Sequence, residues 1–245
     1  MLRIGNSDAM LMPQEQVAED NYTPGQRLKI YVVEVQRTTK GPQVVISRTH
    51  SGLVKKLFEL EVPEIASGIV EIKAVSREAG SRTKIAVGSK DENVDAVGAC
   101  IGPRGQRVNN VVEILCGEKI DIVCWDENPG NLIQNALSPA KIVAVFADPD
   151  EKTAKVVVPD YQLSLAIGKE GQNARLAARL TGYKIDIKSE TQAKDAEGFR
   201  YEDYMYDEEG EAYYEEDEYG ANEYEEEAAE TEEAVEMEEA AEDDE

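Results

Sequence analysis

The chain contains 245 residues with a formal net charge of −25, a length that allows one to three compact domains at roughly 100–200 residues each. Residues 201–245 contain 24 Asp or Glu and no Lys or Arg, which leaves 27 acidic and 26 basic residues in the first 200. The acidic character therefore belongs to a C-terminal tail. The net charge of the whole chain does not exclude nucleic-acid binding by residues 1–200, because such binding depends on the local distribution of charge.

Cysteine and histidine usage argues against disulfide, metal and cofactor chemistry. The three cysteines (Cys100, Cys116 and Cys124) are odd in number, widely spaced and without a Cys-x-x-Cys pair, and His50 is the only histidine. We expect reduced core thiols, no bound metal or cofactor, and a cytoplasmic location. No signal-peptide pattern opens the chain and no run approaches the ~18 apolar residues of a membrane span, so we expect no membrane association.

The N-terminal part of the chain predicts a small β-structure. Residues 1–23 are polar and irregular, and we expect them to form a flexible lead. Residues 28–37 and 43–48 are rich in Val and Ile and flank a turn, which indicates a β-hairpin. An isolated hairpin is marginally stable in water, so this one must pack on another element or belong to a larger barrel.

The body then contains the same order of elements twice. Apolar periodicity and turn residues predict a first set of helix, two strands, two helices and a strand at 53–60, 68–75, 82–87, 94–99, 108–115 and 119–125. A second set is predicted at 130–137, 141–147, 153–158, 162–167, 172–180 and 183–187. Both sets read α-β-β-α-α-β, so the expected fold class is α+β. The linker between them is only a few residues long, which favours a fixed mutual packing.

A short glycine-containing motif recurs at matching places in the two sets. Ile101-Gly102-Pro103-Arg104-Gly105-Gln106 returns 66 positions later as Ile167-Gly168-Lys169-Glu170-Gly171-Gln172, and each copy opens a helix. Each helix leads to a Lys-Ile-Asp-Ile strand, at 119–122 and at 184–187. The pattern indicates a duplicated unit about the size of one small domain.

A Gly-x-x-Gly turn before a helix suits a phosphate group. It presents backbone N–H groups without an intervening side chain, and the helix start adds a partial positive charge. The loops and the first helical turns supply further donors and charges, which makes the candidate RNA-binding residues Gly102, Pro103, Arg104, Gly105, Arg107, Gly168, Lys169, Gly171, Gln172, Asn173 and Arg175. The alternative is that the glycines only make tight turns, but two copies in matching contexts favour a binding role. Glu170 repels phosphate, so the second loop is expected to bind more weakly or to contact ribose instead.

The C-terminal tail, the single tryptophan and the enzyme motifs that are missing from the sequence bear on the class of function. Residues 191–245 are dominated by Glu and Asp without aliphatic periodicity, which predicts a disordered acidic tail. Trp125 could stack on a base, although core packing at a strand end is the commoner role. No phosphate loop or dinucleotide fingerprint occurs, and a single histidine leaves few general bases, so we expect no enzyme.

Several longer motifs occur in one order that is known from a protein family. They are Val44-Val45-Ile46-Ser47-Arg48, Phe58-Glu59-Leu60-Glu61-Val62-Pro63-Glu64-Ile65, Gly80-Ser81-Arg82-Thr83-Lys84-Ile85-Ala86-Val87, and Gln162-Leu163-Ser164-Leu165-Ala166-Ile167-Gly168-Lys169-Glu170-Gly171-Gln172. Because these motifs occur in this order, the chain resembles the NusA family of bacterial transcription termination/antitermination factors over residues 24–190. The resemblance does not extend to the family's N-terminal polymerase-binding domain or to the first strands of its OB barrel.

The resemblance implies both an architecture and a function. It implies a truncated OB-fold RNA-binding domain at 1–52, type II KH domains at 53–126 and 127–190, and the acidic tail at 191–245. It also implies a monomer that binds single-stranded nascent RNA, RNA polymerase and other transcription elongation factors, and that takes part in termination and antitermination. RNA contacts would centre on 102–107 and 168–175. The alternative is a ribosome-associated KH-type RNA-binding structural protein, which two fused KH units behind an OB remnant disfavour.

Overall fold

The computed structural model describes residues 2–5, 7–38 and 41–195. Most of the predicted acidic tail, from residue 196 onward, lies outside the described residues.

The N-terminal segment forms two short antiparallel hairpins. Its strands are β1 (Leu2–Ile4), β2 (Ser7–Ala9), β3 (Tyr31–Thr38) and β4 (Gly41–Ser47). β1 pairs with β2 and β3 pairs with β4, and an isolated parallel bridge between Met10 and Val45 joins the two hairpins. The second hairpin is the one that the sequence predicts.

Part of the lead over residues 1–23, for which the sequence predicts flexibility, packs against the second hairpin. Ala9, Leu11 and Val17 are buried, and Leu11 and Ala9 share a small core with Ile46. These apolar residues are too widely spaced to produce a helical or strand period in the sequence, which is why the pattern did not reveal them.

The first repeat contains a three-stranded sheet covered on one face by helices. Its elements are α1 (Ser51–Glu61), α2 (Pro63–Ala66), β5 (Val70–Glu78), β6 (Arg82–Ser89), α3 (Ala96–Ile101), α4 (Gln106–Ile114) and β7 (Lys119–Cys124). The central strand β6 is antiparallel to β5 and parallel to β7. α1 ends before Pro63, which has no N–H for the helical ladder and instead begins the single turn α2.

The second repeat has the same topology. Its elements are α5 (Pro129–Ala136), β8 (Ala144–Asp148), β9 (Thr153–Val158), α6 (Leu163–Ile167), α7 (Gln172–Thr181) and β10 (Lys184–Ser189). The central strand β9 is antiparallel to β8 and parallel to β10. The predicted α-β-β-α-α-β order and the α+β class are confirmed, with α2 as an extra turn in the first repeat. β8 begins at Ala144, three residues later than the pattern predicted.

A short helix, α8 (Glu190–Asp195), follows β10 directly. The sequence predicted that the disordered tail begins at residue 191, so its start is corrected to a position after Asp195. The reason is burial: Ala193 is fully buried, and the Thr191 hydroxyl donates to Asp160 at 2.9 Å. A single alanine among charged residues carries too weak an apolar signal to be read from the sequence.

The central strand β6 of the first repeat is buried on both faces. Thr83, Ile85 and Val87 point to the helices of their own repeat, while Lys84 and Ala86 alternate with them and face the second repeat. All five are inaccessible to solvent. This double burial means that the two repeats are packed against each other, as the short linker predicted.

The contact between the repeats is a continuous apolar core. Ala86 and Val123 from the first repeat join Leu132, Ile133 and Ala136 of α5 in one buried cluster. Trp125 packs against the same cluster at the end of β7, so its role is in the core. The two repeats therefore share one hydrophobic core.

Two buried arginines attach the N-terminal segment to the first repeat. Arg48 donates to both carboxylate oxygens of Asp20 at 2.5 and 2.6 Å and to the carbonyl of Ile114 on α4 at 3.2 Å. Arg77 donates to the carbonyl of Arg48 at 2.9 Å and, through Nε and Nη2, to the carboxylate of Glu118 at 2.8 Å. Both ion pairs are almost inaccessible to solvent.

The Arg77–Glu118 pair yields a stability prediction. Arg77→Met leaves the buried carboxylate of Glu118 without its countercharge, and we expect a loss of about 3–5 kcal/mol in the free energy of unfolding because removing one partner of a buried pair is strongly destabilising. Urea denaturation monitored by circular dichroism measures it. Lys56→Met is the control, since Lys56 and Glu59 form an exposed pair on α1, and it should leave the midpoint unchanged. Equal midpoints for Arg77→Met and the parent chain would show that the buried Arg77–Glu118 pair does not stabilise the fold.

Candidate nucleic-acid interface

The two Gly-x-x-Gly loops have the same backbone conformation. Gly102 and Gly168 have φ/ψ of 73/174° and 75/172°, and Gly105 and Gly171 have φ of 72° and 73°. The third loop position is also left-handed in both copies, at Arg104 (φ 53°) and Glu170 (φ 54°). The duplication seen in the sequence is therefore a duplication of shape.

The first and second glycines of each loop serve different purposes. A Cβ on Gly102 would lie 2.6 Å from Cγ of Arg107, and one on Gly168 would lie 2.8 Å from Cβ of Asn173, so these glycines are required by packing. A Cβ on Gly171 would have no neighbour within 4 Å, and one on Gly105 would meet only Asn109 at 3.4 Å. The second glycine of each loop therefore faces open space, where another molecule can approach the backbone.

Arg107 and Asn173 occupy the same position in the two repeats and stabilise the loops from inside. Arg107 donates to the carbonyl of Ala99 at 2.7 Å and to Glu64 at 2.9 Å. The Asn173 amide donates to the carbonyls of Leu137 and Ala166, both at 3.0 Å, and the residue is buried. The sequence suggested that both contact the ligand directly, whereas their main contacts in the structure are internal.

The exposed charged residues of the loops are Arg104 in the first copy and Lys169 and Glu170 in the second. The amides of Gly105 and Gly171 bond to the carbonyls of Gly102 and Gly168 at 3.1 Å and so maintain the turn. Attraction for an anion therefore comes from the tip cations and the helix starts of α4 and α7. The tip charge is positive in the first loop and balanced in the second.

A partly exposed isoleucine lies beside each loop. Ile101 and Ile167 directly precede the first glycines and are 38% and 37% exposed. Isoleucine side chains exposed to this degree at matching positions give each loop an apolar border, which a base or sugar can contact.

Gln172 and Arg175 of the second loop helix bind the first repeat. Glu78, the last residue of β5, accepts from Arg175 Nε at 2.6 Å, from Gln172 Nε2 at 2.9 Å and from Arg179 Nη1 at 3.3 Å. The hydrogen bond from Arg175 lowers the pKa of Glu78 to about 2. These candidate ligand residues therefore set the orientation of the second loop relative to the first.

Lys84 makes a second polar contact between the repeats. Its ammonium donates to the carbonyl of Ser138 at 2.9 Å and lies 3.1 Å from the Asp121 carboxylate. Burial lowers the pKa of Lys84, while the charge and hydrogen bond of Asp121 oppose this shift. Arg82 also pairs with Asp121, at 2.7 Å, so the carboxylate is shared by two cations.

Glu78 and Lys84 are the residues that sequence reasoning missed. No motif in the sequence assigns either residue a contact between the repeats. Both lie at strand positions whose contacts are far away in the sequence, and a single sequence carries no signal for such pairs. For Lys84, the only hint in the sequence is the continuous apolar run Ile85–Val87 that follows it, which is typical of a strand buried on both faces.

The cysteines differ from the prediction of core thiols. Cys100 is buried, whereas Cys116 and Cys124 are exposed, and all three are free. Among the described residues, no group of three or more His, Cys, Asp or Glu side chains is placed to hold a metal ion. In the same part of the chain, no helix has the length and apolar character needed to cross a membrane.

Comparison with known proteins identifies both repeats. A model of the NusA-like first KH domain matches residues 48–125, and a model of the NusA-like second KH domain matches residues 129–195. The chain belongs to the NusA family. Its two repeats are the tandem type II KH domains of that family, and the loops described above are their Gly-x-x-Gly loops.

Three relatives carry the name transcription termination/antitermination protein NusA. The protein from Bacillus subtilis is 57% identical over 192 residues, covering 78% of this chain and 52% of the relative. That from Halalkalibacterium halodurans is 58% identical over 192 residues, covering 78% and 50%. That from Thermus thermophilus is 49% identical over 187 residues, covering 76% and 48%. The chain thus spans about half the length of the curated NusA relatives it matches.

The Glu78 contact yields a pH prediction. Because the pKa of Glu78 is lowered from 4.5 to about 2, its ionised form stabilises the fold above pH 4.5, and this stabilisation is lost as the pH falls towards 2. Glu78→Gln should therefore be less stable than the parent chain at pH 7, with a difference that shrinks between pH 4.5 and 2. Urea unfolding midpoints across this range measure it.

Glu113→Gln is the matched control, because Glu113 is exposed on α4 and its replacement removes one negative charge away from the contact. It should show no such pH-dependent difference. A Glu78→Gln difference that stays constant with pH would show that the charge of Glu78 does not stabilise the contact between the repeats.

Proposed function

We propose that this chain binds single-stranded RNA through its two Gly-x-x-Gly loops and acts in bacterial transcription termination and antitermination. The single observation that carries the proposal is the pair of loops with the same backbone conformation, each with an open second glycine, on two repeats that share one core. KH domains clamp four nucleotides of backbone at such a loop.

The packed repeats favour bivalent binding. Once one loop holds a strand, the other loop is kept nearby, so the second contact forms at a high effective concentration without further loss of translational freedom. Because the two repeats are already packed together, the ordering entropy that opposes the second contact is reduced. A strand long enough to reach both loops should therefore bind more tightly than one that reaches a single loop.

The roles of the candidate residues divide into two groups. Those proposed to meet the strand are Gly102, Pro103, Arg104, Gly105, Gly168, Lys169 and Gly171. Those proposed to position the loops are Arg107, Gln172, Asn173 and Arg175, which supply shape and orientation through the contacts described above. Glu170 weakens attraction for phosphate at the second loop.

The cellular role is proposed from the relatives. Proteins named for transcription termination and antitermination share 43–58% identity with the chain, which supports association with nascent RNA, RNA polymerase and other elongation factors in the cytoplasm. We propose a monomeric binding protein without catalytic activity or cofactor. We also propose the division into an OB-type segment at 1–52 and KH domains at 53–126 and 127–190, with α8 attached to the second.

Changes at the open glycines test RNA binding. Gly105→Asp and Gly171→Asp place a negative charge where phosphate is expected, and the double variant should weaken single-stranded RNA binding about 10- to 100-fold. Gly105→Asn and Gly171→Asn are the matched control, because Asn adopts the left-handed backbone as readily as Asp and adds no charge. Fluorescence anisotropy with a labelled strand measures both, and equal affinities for the Asp and Asn double variants would contradict the proposal.

The role in transcription is tested by co-sedimentation and a termination assay. The chain should sediment with RNA polymerase elongation complexes that carry a nascent transcript and should change the fraction of transcripts released at a terminator. The double variant with Gly105→Asp and Gly171→Asp should lose the part of this effect on termination that requires RNA binding. Sedimentation with ribosomal subunits instead of elongation complexes would favour the ribosome-associated alternative.

A further inference from the structure

The helices that lead into the two loops differ on their exposed faces. In the second repeat, Tyr161 and Leu165 precede Gly168 by seven and three residues. At the equivalent distances before Gly102, the first repeat has Asp95 and Ala99. The two loops therefore share a backbone shape but have chemically different neighbours.

Tyr161 and Leu165 form an apolar surface that leads to the second loop. Leu165 lies on α6, three residues before Gly168, and Tyr161 lies four residues before Leu165 on the 3-10 turn Asp160–Gln162, which runs directly into α6. Tyr161 is 77% exposed and Leu165 is 45% exposed. At about 2.0 Å per residue in the 3-10 turn and about 1.5 Å per residue in α6, Tyr161 lies roughly 12 Å along the chain axis from Gly168, which places this surface within a few nucleotides of a strand held at the loop.

The backbone around Tyr161 is fixed although its ring is exposed. On one side, Asp160 accepts a hydrogen bond from Thr191 of α8 at 2.9 Å. On the other, Gln162 accepts from the backbone amide of Lys141 at 3.3 Å and donates its own amide to the carbonyl of Pro159 at 2.9 Å. A tyrosine held in this way offers a large ring at a low cost in conformational entropy, as binding anchors do.

The equivalent position in the first repeat cannot act in the same way. The Asp95 side chain caps α3 by accepting from the amide of Val97 at 3.0 Å. A carboxylate offers no ring for stacking and repels the phosphates of a strand. An aromatic surface beside a phosphate-binding loop is therefore a property of the second repeat.

We propose that Tyr161, flanked by Leu165, is a base-stacking site that extends the second loop. This inference rests on the proposed binding of single-stranded RNA. A base of the strand whose backbone lies at Gly168–Gly171 stacks on the Tyr161 ring, and Leu165 borders that base. Aromatic stacking is tolerant of sequence because every base has a π-face, so the site adds affinity at any base and most at purines.

The stacking site also compensates for the weak attraction of the second loop for phosphate. Lys169 and Glu170 balance each other at the tip, so this loop gains little from counterion release. Stacking supplies affinity that does not depend on phosphate contacts, and it should persist at salt concentrations that weaken binding at the first loop. The two repeats thus bind one strand by different physical means, charge in the first and stacking in the second.

The test compares three variants on two strands. Tyr161→Ala removes the ring, Tyr161→Phe keeps it and serves as the matched control, and Tyr161→Asp copies the residue of the first repeat. Affinity is measured by fluorescence anisotropy for a labelled oligoadenylate that spans both loops and for a strand of the same length with abasic sites. Thermal unfolding checks the fold, which an exposed residue should leave unchanged.

Tyr161→Ala should bind oligoadenylate about 5- to 100-fold more weakly than the parent chain, while Tyr161→Phe stays close to it. Tyr161→Asp should bind more weakly still, because it adds repulsion. The loss for Tyr161→Ala should disappear on the abasic strand, and the salt dependence should not change because no phosphate contact is removed.

The outcomes separate this inference from the function on which it rests. If the parent chain and Tyr161→Ala bind oligoadenylate equally well, RNA binding stands and the stacking site is overturned, which leaves the Tyr161 surface to a protein partner. An equal loss on the abasic strand overturns it too, since the ring would then act without a base. If the parent chain binds neither strand, the proposed function itself is wrong.

Discussion

Burial of one sheet face of the first KH domain against α5 and α7 of the second is the interaction on which the rest of the structure depends. It makes β6 a strand buried on both faces, which is why Lys84 and Ala86 are as inaccessible as Ile85. It also brings the Glu78 carboxylate against the loop helix of the second domain. Without this contact the two loops would still have the same shape, but their separation and relative orientation would be free to vary.

The loops show how the same backbone can be supported by different side chains. Arg107 in the first domain and Asn173 in the second both reach under the first glycine and bond to carbonyls of the preceding helix. The longer side chain also pairs with Glu64, whereas the shorter one bonds to Leu137. A hydrogen-bond donor at this one position, Arg107 or Asn173, is thus enough to maintain the shape of the loop, and the donor need not be charged.

The sequence predicted those parts of the fold that depend on local pattern. Helical periodicity located α4 and α7, alternation and β-branched residues located β6 and β9, and the paired glycines located both loops. It did not reveal the ordered N-terminal segment, whose burial depends on isolated residues such as Leu11. It also assigned Arg175 to the ligand, because a single sequence cannot show that a carboxylate 97 positions away, Glu78, lies within 2.6 Å of it. Long-range pairs of this kind set the geometry of the site and leave no local pattern.

The left-handed backbone at the third loop position restricts which amino acids can occupy it. Arg104 and Glu170 have φ of 53° and 54°, values at which an unbranched side chain is tolerated and a β-branched one is strongly disfavoured. Valine, isoleucine and threonine should therefore be absent from this position in functional variants, while arginine, glutamate, lysine and asparagine can replace one another. Selection can thus reverse the electric charge at the tip of either loop without altering its outline, which lets the charge that faces the proposed RNA strand change independently of the fold.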